Sequence, residues 1–255
     1  MVSEFATSGW AKFGFDPVVM TWVDHVRPLA IAAQKDPAHA AWWRCDDTWF
    51  VGVNALENDG QGRVTGGPAL EGAAMGFARS LADLPLDRAQ LSTMFPGYPR
   101  QGTEESEAAH RYRIRRDSAH VDGLKPFGPD RRRRVDEAHA WLLGVPLTET
   151  PASPFVLWDG SHRIMQSAFR KAFEGVAPEK MKAHDVTGAY QAARREVFDS
   201  CPRIELEAKP GQAYVLHRHT LHGVAPWADG LTAGPEGRMI AYFRPDLPGG
   251  VAAWL

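Results

Sequence analysis

The sequence predicts a mainly β protein with surrounding helices, its short strands closed or sandwiched into an antiparallel jelly-roll core. Three observations carry that expectation. From Leu91 onward, short apolar or alternating stretches recur between Gly, Pro and charged loops, the spacing of a barrel or sandwich. Helical periodicity is concentrated in the first third of the chain. With 255 residues, 44% of them hydrophobic, the chain is long enough for one large buried core. A single domain over 1–255 follows, with a helix-rich part over 1–90 packing on a β core over 91–250.

The elements follow in order. Asp16-Pro17 opens a helix in which Val19, Trp22, Val23 and Val26 recur at helical spacing; Asp16 is its N-cap and Pro17 its first-turn proline. Pro28 is expected to kink or end it. Asp36 caps a short helix over Pro37 to Cys45 by the same Asp-Pro logic. Thr48 to Val53 reads as a strand, followed by the turn residues Asn58-Asp59-Gly60. Pro68 to Ala82 reads as a helix. Candidate strands are then Met94-Phe95, Arg111 to Val121, Ala138 to Val145, Phe155 to Trp158, Ile204 to Ala208, Ala213 to His219 and Met239 to Phe243. Helices interrupt them at about Arg163 to Glu174 and Val186 to Asp199.

Composition narrows the function. A formal net charge of −2, with no basic tail, argues against nucleic-acid binding by counterion release. Cys45 and Cys201 are too few for a disulfide framework or a Cys-type zinc site, which fits a reducing compartment. The leading Met-Val-Ser-Glu-Phe-Ala has no basic region running into an apolar one. No apolar run approaches the length of about 18 residues needed to span a membrane. The expectation is a cytoplasmic protein without membrane or nucleic-acid partners, acting on a small molecule. Nine Trp and twelve Phe supply thick core and pocket walls.

The chemistry is concentrated in His120-Val121-Asp122 and Leu221-His222-Gly223, followed by Arg238. On a strand, residues i and i+2 share a face, so His120 and Asp122 can reach one ion. A distant third His completes a two-His-one-carboxylate set, which leaves positions open on a non-haem Fe(II). His217, His219 and His222 all offer that third imidazole. A His217–His219 pair holding another metal, as in cupin-like sites, is the rival grouping. A downstream Arg offers the planar, permanently charged fork that grips a carboxylate.

These residues resemble the phytanoyl-CoA dioxygenase-like branch of the Fe(II)/2-oxoglutarate-dependent oxygenases. The resemblance runs from roughly Arg111 to Pro245. It rests on His120-Val121-Asp122, on Val156-Leu157-Trp158-Asp159-Gly160-Ser161-His162, on Gly211-Gln212-Ala213-Tyr214-Val215-Leu216-His217 leading to Leu221-His222-Gly223, and on Arg238-Met239-Ile240-Ala241-Tyr242-Phe243. It implies a double-stranded β-helix core of cupin-like type, and Fe(II) held by His120, Asp122 and His222. It further implies 2-oxoglutarate and O₂ as co-substrates, with the distal carboxylate of 2-oxoglutarate on Arg238 and Arg244 as the fallback. Gln212 stands where the family has Asp after Gly211, and Val224 where a small hydroxyl residue often follows. Asp122 is a carboxylate rather than the Gly or Ala of related halogenases, so the resemblance implies hydroxylation. A catalytically inactive sensor or scaffold on the same fold is the non-enzymatic alternative.

If Arg111 to Asp122 is a strand, Tyr112 and Arg116 share the face of His120, and Arg218 precedes His222 in the same way. These residues, with Trp141 and Trp158, are the candidate pocket lining, and the two arginines would suit an anionic substrate. Arg131-Arg132-Arg133-Arg134 reads as a solvated basic loop or, more sharply, as a phosphate or coenzyme-A contact. His162 is expected to order the turn after its strand.

Overall fold

Apolar stretches buried on both faces build the centre of this protein, whose computed structural model describes residues 2–255. In chain order the helices are α1 (Val2–Ser8), α2 (Pro17–Lys35), α3 (Ala73–Leu81), α4 (Glu107–Arg115), α5 (Ser161–Ala172), α6 (Pro178–Met181), α7 (Thr187–Ser200) and α8 (Gly250–Trp254). The strands are β1 (Trp10–Phe13), β2 (Trp43–Arg44), β3 (Trp49–Phe50), β4 (Gln90–Met94), β5 (Leu124–Phe127), β6 (Arg132–Val135), β7 (Trp141–Pro146), β8 (Phe155–Trp158), β9 (Arg203–Leu206), β10 (Ala213–His217), β11 (His222–Val224) and β12 (Arg238–Phe243). A seven-stranded sheet runs β1-β10-β7-β12-β4-β3-β2 and a three-stranded sheet β11-β8-β9, with β5 and β6 forming a separate hairpin. All pairings are antiparallel.

Alternation along the strands makes three layers. Leu142, Tyr214, Leu216, Ile240 and Tyr242 of the large sheet meet Phe155, Leu157 and Leu206 of the small one. Their neighbours Trp141, Leu143, Val145, Val215, Met239 and Phe243 point the other way, onto Trp22, Val23 and Val26 of α2 and Met75 and Ala78 of α3. Behind the small sheet, Val156 and Trp158 pack on Met165 and Phe169 of α5 and Ala193 and Val197 of α7. Each large apolar side chain buried this way contributes about 2 kcal/mol. Every residue of β7, β8 and β12 is therefore buried.

Several expectations are corrected. Asp16 caps α2, its side chain accepting from the Val18 N–H at 2.9 Å, but the helix continues through Pro28 to Lys35. Pro28 lies on the solvent face, where water can reach the carbonyl that lacks its helical donor. The short helix capped by Asp36 is a 3₁₀ turn, Pro37–Trp42, and the strand expected over Thr48 to Val53 shrinks to β3. The first third also contributes β1, β2 and β3 to the large sheet. The main correction concerns Arg111 to Val121, which is not a strand. Ser106 caps α4 through Ala109 N–H at 3.2 Å, and Glu107 pairs with Arg111 one turn on at 3.1 Å, both local devices that favour helix.

Candidate metal centre

His120 and Asp122 reach the centre from a turn rather than from a strand. After α4, Asp117 and Ser118 adopt left-handed backbone conformations, and Arg203 clamps the Asp117 carboxylate through two bonds of 2.7 and 2.9 Å. The chain then runs beside β11, where Val224 N–H donates to the Asp117 carbonyl at 2.8 Å. His120 N–H donates to the His222 carbonyl at 2.8 Å, and His222 N–H returns the bond at 3.0 Å. Ser161, in the Gly-Ser-His segment, accepts from Leu221 N–H at 2.9 Å and so anchors the approach to His222.

Two glycines permit this approach. A Cβ on Gly223 would lie 2.0 Å from the Asp117 carbonyl, and one on Gly123, at φ +80°, would lie 2.0 Å from the Glu137 carbonyl. Gly after Asp122 and after His222 is thus a steric requirement of bringing the chain segments together.

The side chains converge. His120 Nε2 lies 3.3 Å from Asp122 Oδ1, and His222 Nε2 lies 3.6 Å from Asp122 Oδ2. One ligand atom from each of the three residues falls within 4.8 Å of the others. Each Nδ1 donates to a main-chain carbonyl, His120 to Ser118 at 2.9 Å and His222 to Thr220 at 2.8 Å. That tautomer leaves both Nε2 lone pairs facing the carboxylate. Phe155 stacks on the His222 ring at 5.5 Å and fixes its plane.

Burial alone would raise the Asp122 carboxyl, but the Arg244 guanidinium leads the opposing causes, and the group is held well below the usual carboxylate range. Arg244 Nη1 is 3.5 Å from Asp122 Oδ1. Asp122 Oδ2 is buried without a hydrogen-bond donor, a costly state unless a cation completes it. Two free imidazole nitrogens and an ionised, under-coordinated carboxylate are the donor set that a divalent first-row metal takes. These residues therefore fit such an ion.

The three residues line a cavity of about 880 Å³. Tyr112 also lines it, by way of α4 rather than a strand, and its hydroxyl donates to the Ala119 carbonyl at 2.7 Å. The other candidate lining residues point elsewhere. Arg116 is exposed and stacks on Phe198 at 4.3 Å, and Arg218 donates to the Trp254 carbonyl at 2.7 Å. Trp141 is buried against the amino-terminal helices, donating to the Ala82 carbonyl at 3.2 Å. Trp158 packs edge-on against Phe198 behind the small sheet. Side-chain alternation turns Trp141 and Trp158 away from the cavity, whereas Arg116 follows the end of α4 and Arg218 lies beyond the end of β10.

Arg238 opens β12 and is 5% exposed, with its Nη1 unpartnered. Its guanidinium stands beside the Tyr214 hydroxyl, which donates to the Tyr242 hydroxyl at 3.0 Å. Tyr242 lines the cavity whereas Arg238 itself does not. The sequence alone did not show the Tyr214–Tyr242 hydroxyl pair or the pairing of Arg244 with Asp122, both of which depend on contacts between distant segments. His217 and His219 are not at this site: they pack with His162 and Phe169.

No family model matches the chain, and no curated protein matches it. Among solved structures it is similar to the non-haem α-ketoglutarate-dependent carbocyclase SnoK from nogalamycin biosynthesis, at 13% identity over 100% of this chain and 89% of that one, with a TM-score of 0.45. It is similar to EctD from S. alaskensis with bound Fe, at 13% identity over 95% and 74% of the two chains and a TM-score of 0.48. AviO1 from Streptomyces viridochromogenes Tue57 gives 13% identity over 98% and 94%, with a TM-score of 0.47. These likenesses are distant, and the roles assigned below rest on this chain's own side chains.

Proposed function

We propose that this chain is an Fe(II)- and 2-oxoglutarate-dependent oxygenase on a double-stranded β-helix core, hydroxylating a small organic molecule. One observation carries the reading: the two Nε2 atoms and the carboxylate of His120, Asp122 and His222 converge on the wall of a large cavity. His120, Asp122 and His222 would hold the metal, and Arg238 the distal carboxylate of 2-oxoglutarate. Supporting the second role, Arg238 Nη1 is buried without a partner next to two tyrosine hydroxyls, a donor set suited to a carboxylate. Arg244 is the less favoured holder because its charge is engaged by Asp122. Bound there, the iron and its co-substrate supply O₂-derived oxidising power, with release of succinate and CO₂.

The residues contribute geometry. The Ser118 and Thr220 carbonyls hold the imidazoles in one tautomer and one orientation. Arg244 keeps Asp122 ionised and aimed. Phe155, Leu142 and Tyr242 wall the cavity beside the ligands and limit water there. Asp122, as a carboxylate, occupies the place a halide would need, which favours hydroxylation.

The test is anaerobic addition of Fe(II) and then 2-oxoglutarate, read by visible spectroscopy. A weak charge-transfer band that vanishes in Asp122→Ala and in Arg238→Ala is expected. Loss of the band in Arg244→Ala, with Arg238→Ala unaffected, would reassign the carboxylate holder. Stoichiometric iron with no band would reject 2-oxoglutarate as the co-substrate.

A further inference from the structure

The four consecutive arginines do not act as one solvated loop. They run into β6, where alternation separates Arg133 from Arg132 and Arg134, and Arg131 precedes the strand at φ +51°. Arg132 and Arg134 face carboxylates: Arg132 pairs with Asp185 at 3.1 Å and Arg134 with Asp136 at 3.4 Å. Arg131 and Arg133 line the same cavity as the metal centre instead. Arg194 of α7 joins them there. Among the described residues none of the three pairs with a carboxylate. Arg133 makes one side-chain bond, to the Leu124 carbonyl at 3.3 Å. Arg194 lies between two tyrosines, 4.7 Å from the Tyr112 ring and 5.1 Å from Tyr190.

The nearby carboxylates are otherwise engaged. Glu137 takes Lys125 and His139, and Glu105 takes Arg113. Burial draws the Arg133 guanidinium below its ordinary value, and Arg131 and Arg194 add to that pull. Like charges are thus gathered in a partly desolvated wall, and among the described residues no carboxylate forms an ion pair with them.

Arg133 and Arg194 are tied to each other's elements. Arg133 N–H donates to Thr187 Oγ1 at 2.6 Å, and the Arg133 carbonyl accepts from Val186 N–H at 2.9 Å, which ties β6 to the start of α7. Tyr190 and Arg194 are one turn apart on that helix. The hydroxyl of Tyr112 bonds the Ala119 carbonyl, so the ring against which Arg194 lies is joined to the residue preceding His120.

We propose that Arg131, Arg133 and Arg194 form an anion subsite that binds a phosphoryl group of the substrate and presents the attached carbon skeleton to the metal centre. Three permanent guanidinium charges exceed what a single carboxylate neutralises, and a phosphoryl group offers several oxygens to their forks. The assignment rests on the oxygenase reading for the meaning of "substrate", but the anion subsite is testable without turnover.

The experiment is calorimetric titration of the full chain, loaded anaerobically with Fe(II) and stoichiometric 2-oxoglutarate, with inorganic pyrophosphate and separately with citrate. Pyrophosphate should bind more tightly than citrate, and Arg133→Gln and Arg194→Gln should each weaken it about tenfold, the loss of one charge-assisted bond. Arg131→Gln, at an exposed position bonded to no other side chain, should weaken it in the same direction and carries no folding risk. Tighter citrate binding would overturn the phosphoryl assignment. Pyrophosphate binding that ignores all three substitutions would place the ion elsewhere and overturn the subsite. A charge-transfer band with no pyrophosphate binding would remove this inference alone. Arginine-dependent binding without the band would uphold the subsite and remove the oxygenase reading.

Discussion

Two histidine clusters have opposite characters, although His219 of one and His222 of the other are three residues apart. His120 and His222 meet a carboxylate, keep their Nε2 atoms free and open on a cavity. His162, His217 and His219 stack on one another at 5.0 and 5.2 Å and meet none. His219 is fully buried with neither ring nitrogen partnered, and it packs edge-on against Trp254 at 4.2 Å. Its charged neighbours, Arg218 and Arg170, are cationic. Burial is the first cause that pulls His217 down to about 3 and His219 well below its ordinary value. Imidazoles held neutral in a packed layer act as aromatic core. A carboxylate and an open face, more than the number of histidines, mark the metal centre.

That contrast can be broken most forcefully at Asp122. Asp122→Ala should lower Fe(II) affinity by more than about 100-fold, beyond what loss of an outer-sphere partner costs, as read by equilibrium metal titration. His219→Leu should leave that titration unchanged, and equal losses in both variants would erase the distinction between the clusters.

Acid stability sharpens the other half. His217 has a folded value of about 3 against an ordinary 6.5, so between those limits the unfolded chain takes up a proton that the folded one refuses. Stability is therefore full above pH 6.5 and falls as the pH drops, by about 1.4 kcal/mol per pH unit from this group alone. Denaturant melts between pH 7 and 4 should show a shallower slope in His217→Gln. A smaller effect is expected at His219 itself. Replacing an unpartnered buried imidazole by Leu trades a desolvation cost for apolar packing, so unfolding free energy at pH 7 should move by less than about 1 kcal/mol. Smallest of all, Arg116→Ala should cost at most about 0.5–1 kcal/mol through its contact with Phe198. It should leave pyrophosphate binding intact, because its side chain is not at the cavity.

Legibility in the sequence follows the same division between local and distant causes. β7, β8, β10 and β12 were readable because strands buried on both faces appear as unbroken apolar runs. His-x-Asp-Gly and Leu-His-Gly were readable as candidate ligand segments because each is local, and the structure brings them together. α4 was not: Tyr112, Ile114 and Arg116 alternate as a strand would, and Ser106 with the Glu107–Arg111 pair decides for helix. That misreading is why Arg116 was taken as a lining residue, while Tyr112 lines the cavity from a helix. Arg131 to Arg134 appeared as a uniform charge run, since their division depends on a hairpin that the sequence reading did not contain. Arg244 was named for a different carboxylate, because its approach to Asp122 requires the turn after α4 and the end of β12 to meet.

The reciprocal bond between His120 and His222 has an architectural consequence. The ligands are set by main-chain pairing at the margin of the small sheet, whereas much of the cavity wall comes from the segment before β4, from α4, from the β5–β6 hairpin and from α7. The proposed metal centre and most of the cavity wall are therefore built by largely separate segments. Replacing the β5–β6 hairpin or the exposed face of α4 should retarget the protein to a differently charged molecule while the metal site is retained, which makes this chain a scaffold for altering selectivity by segment exchange.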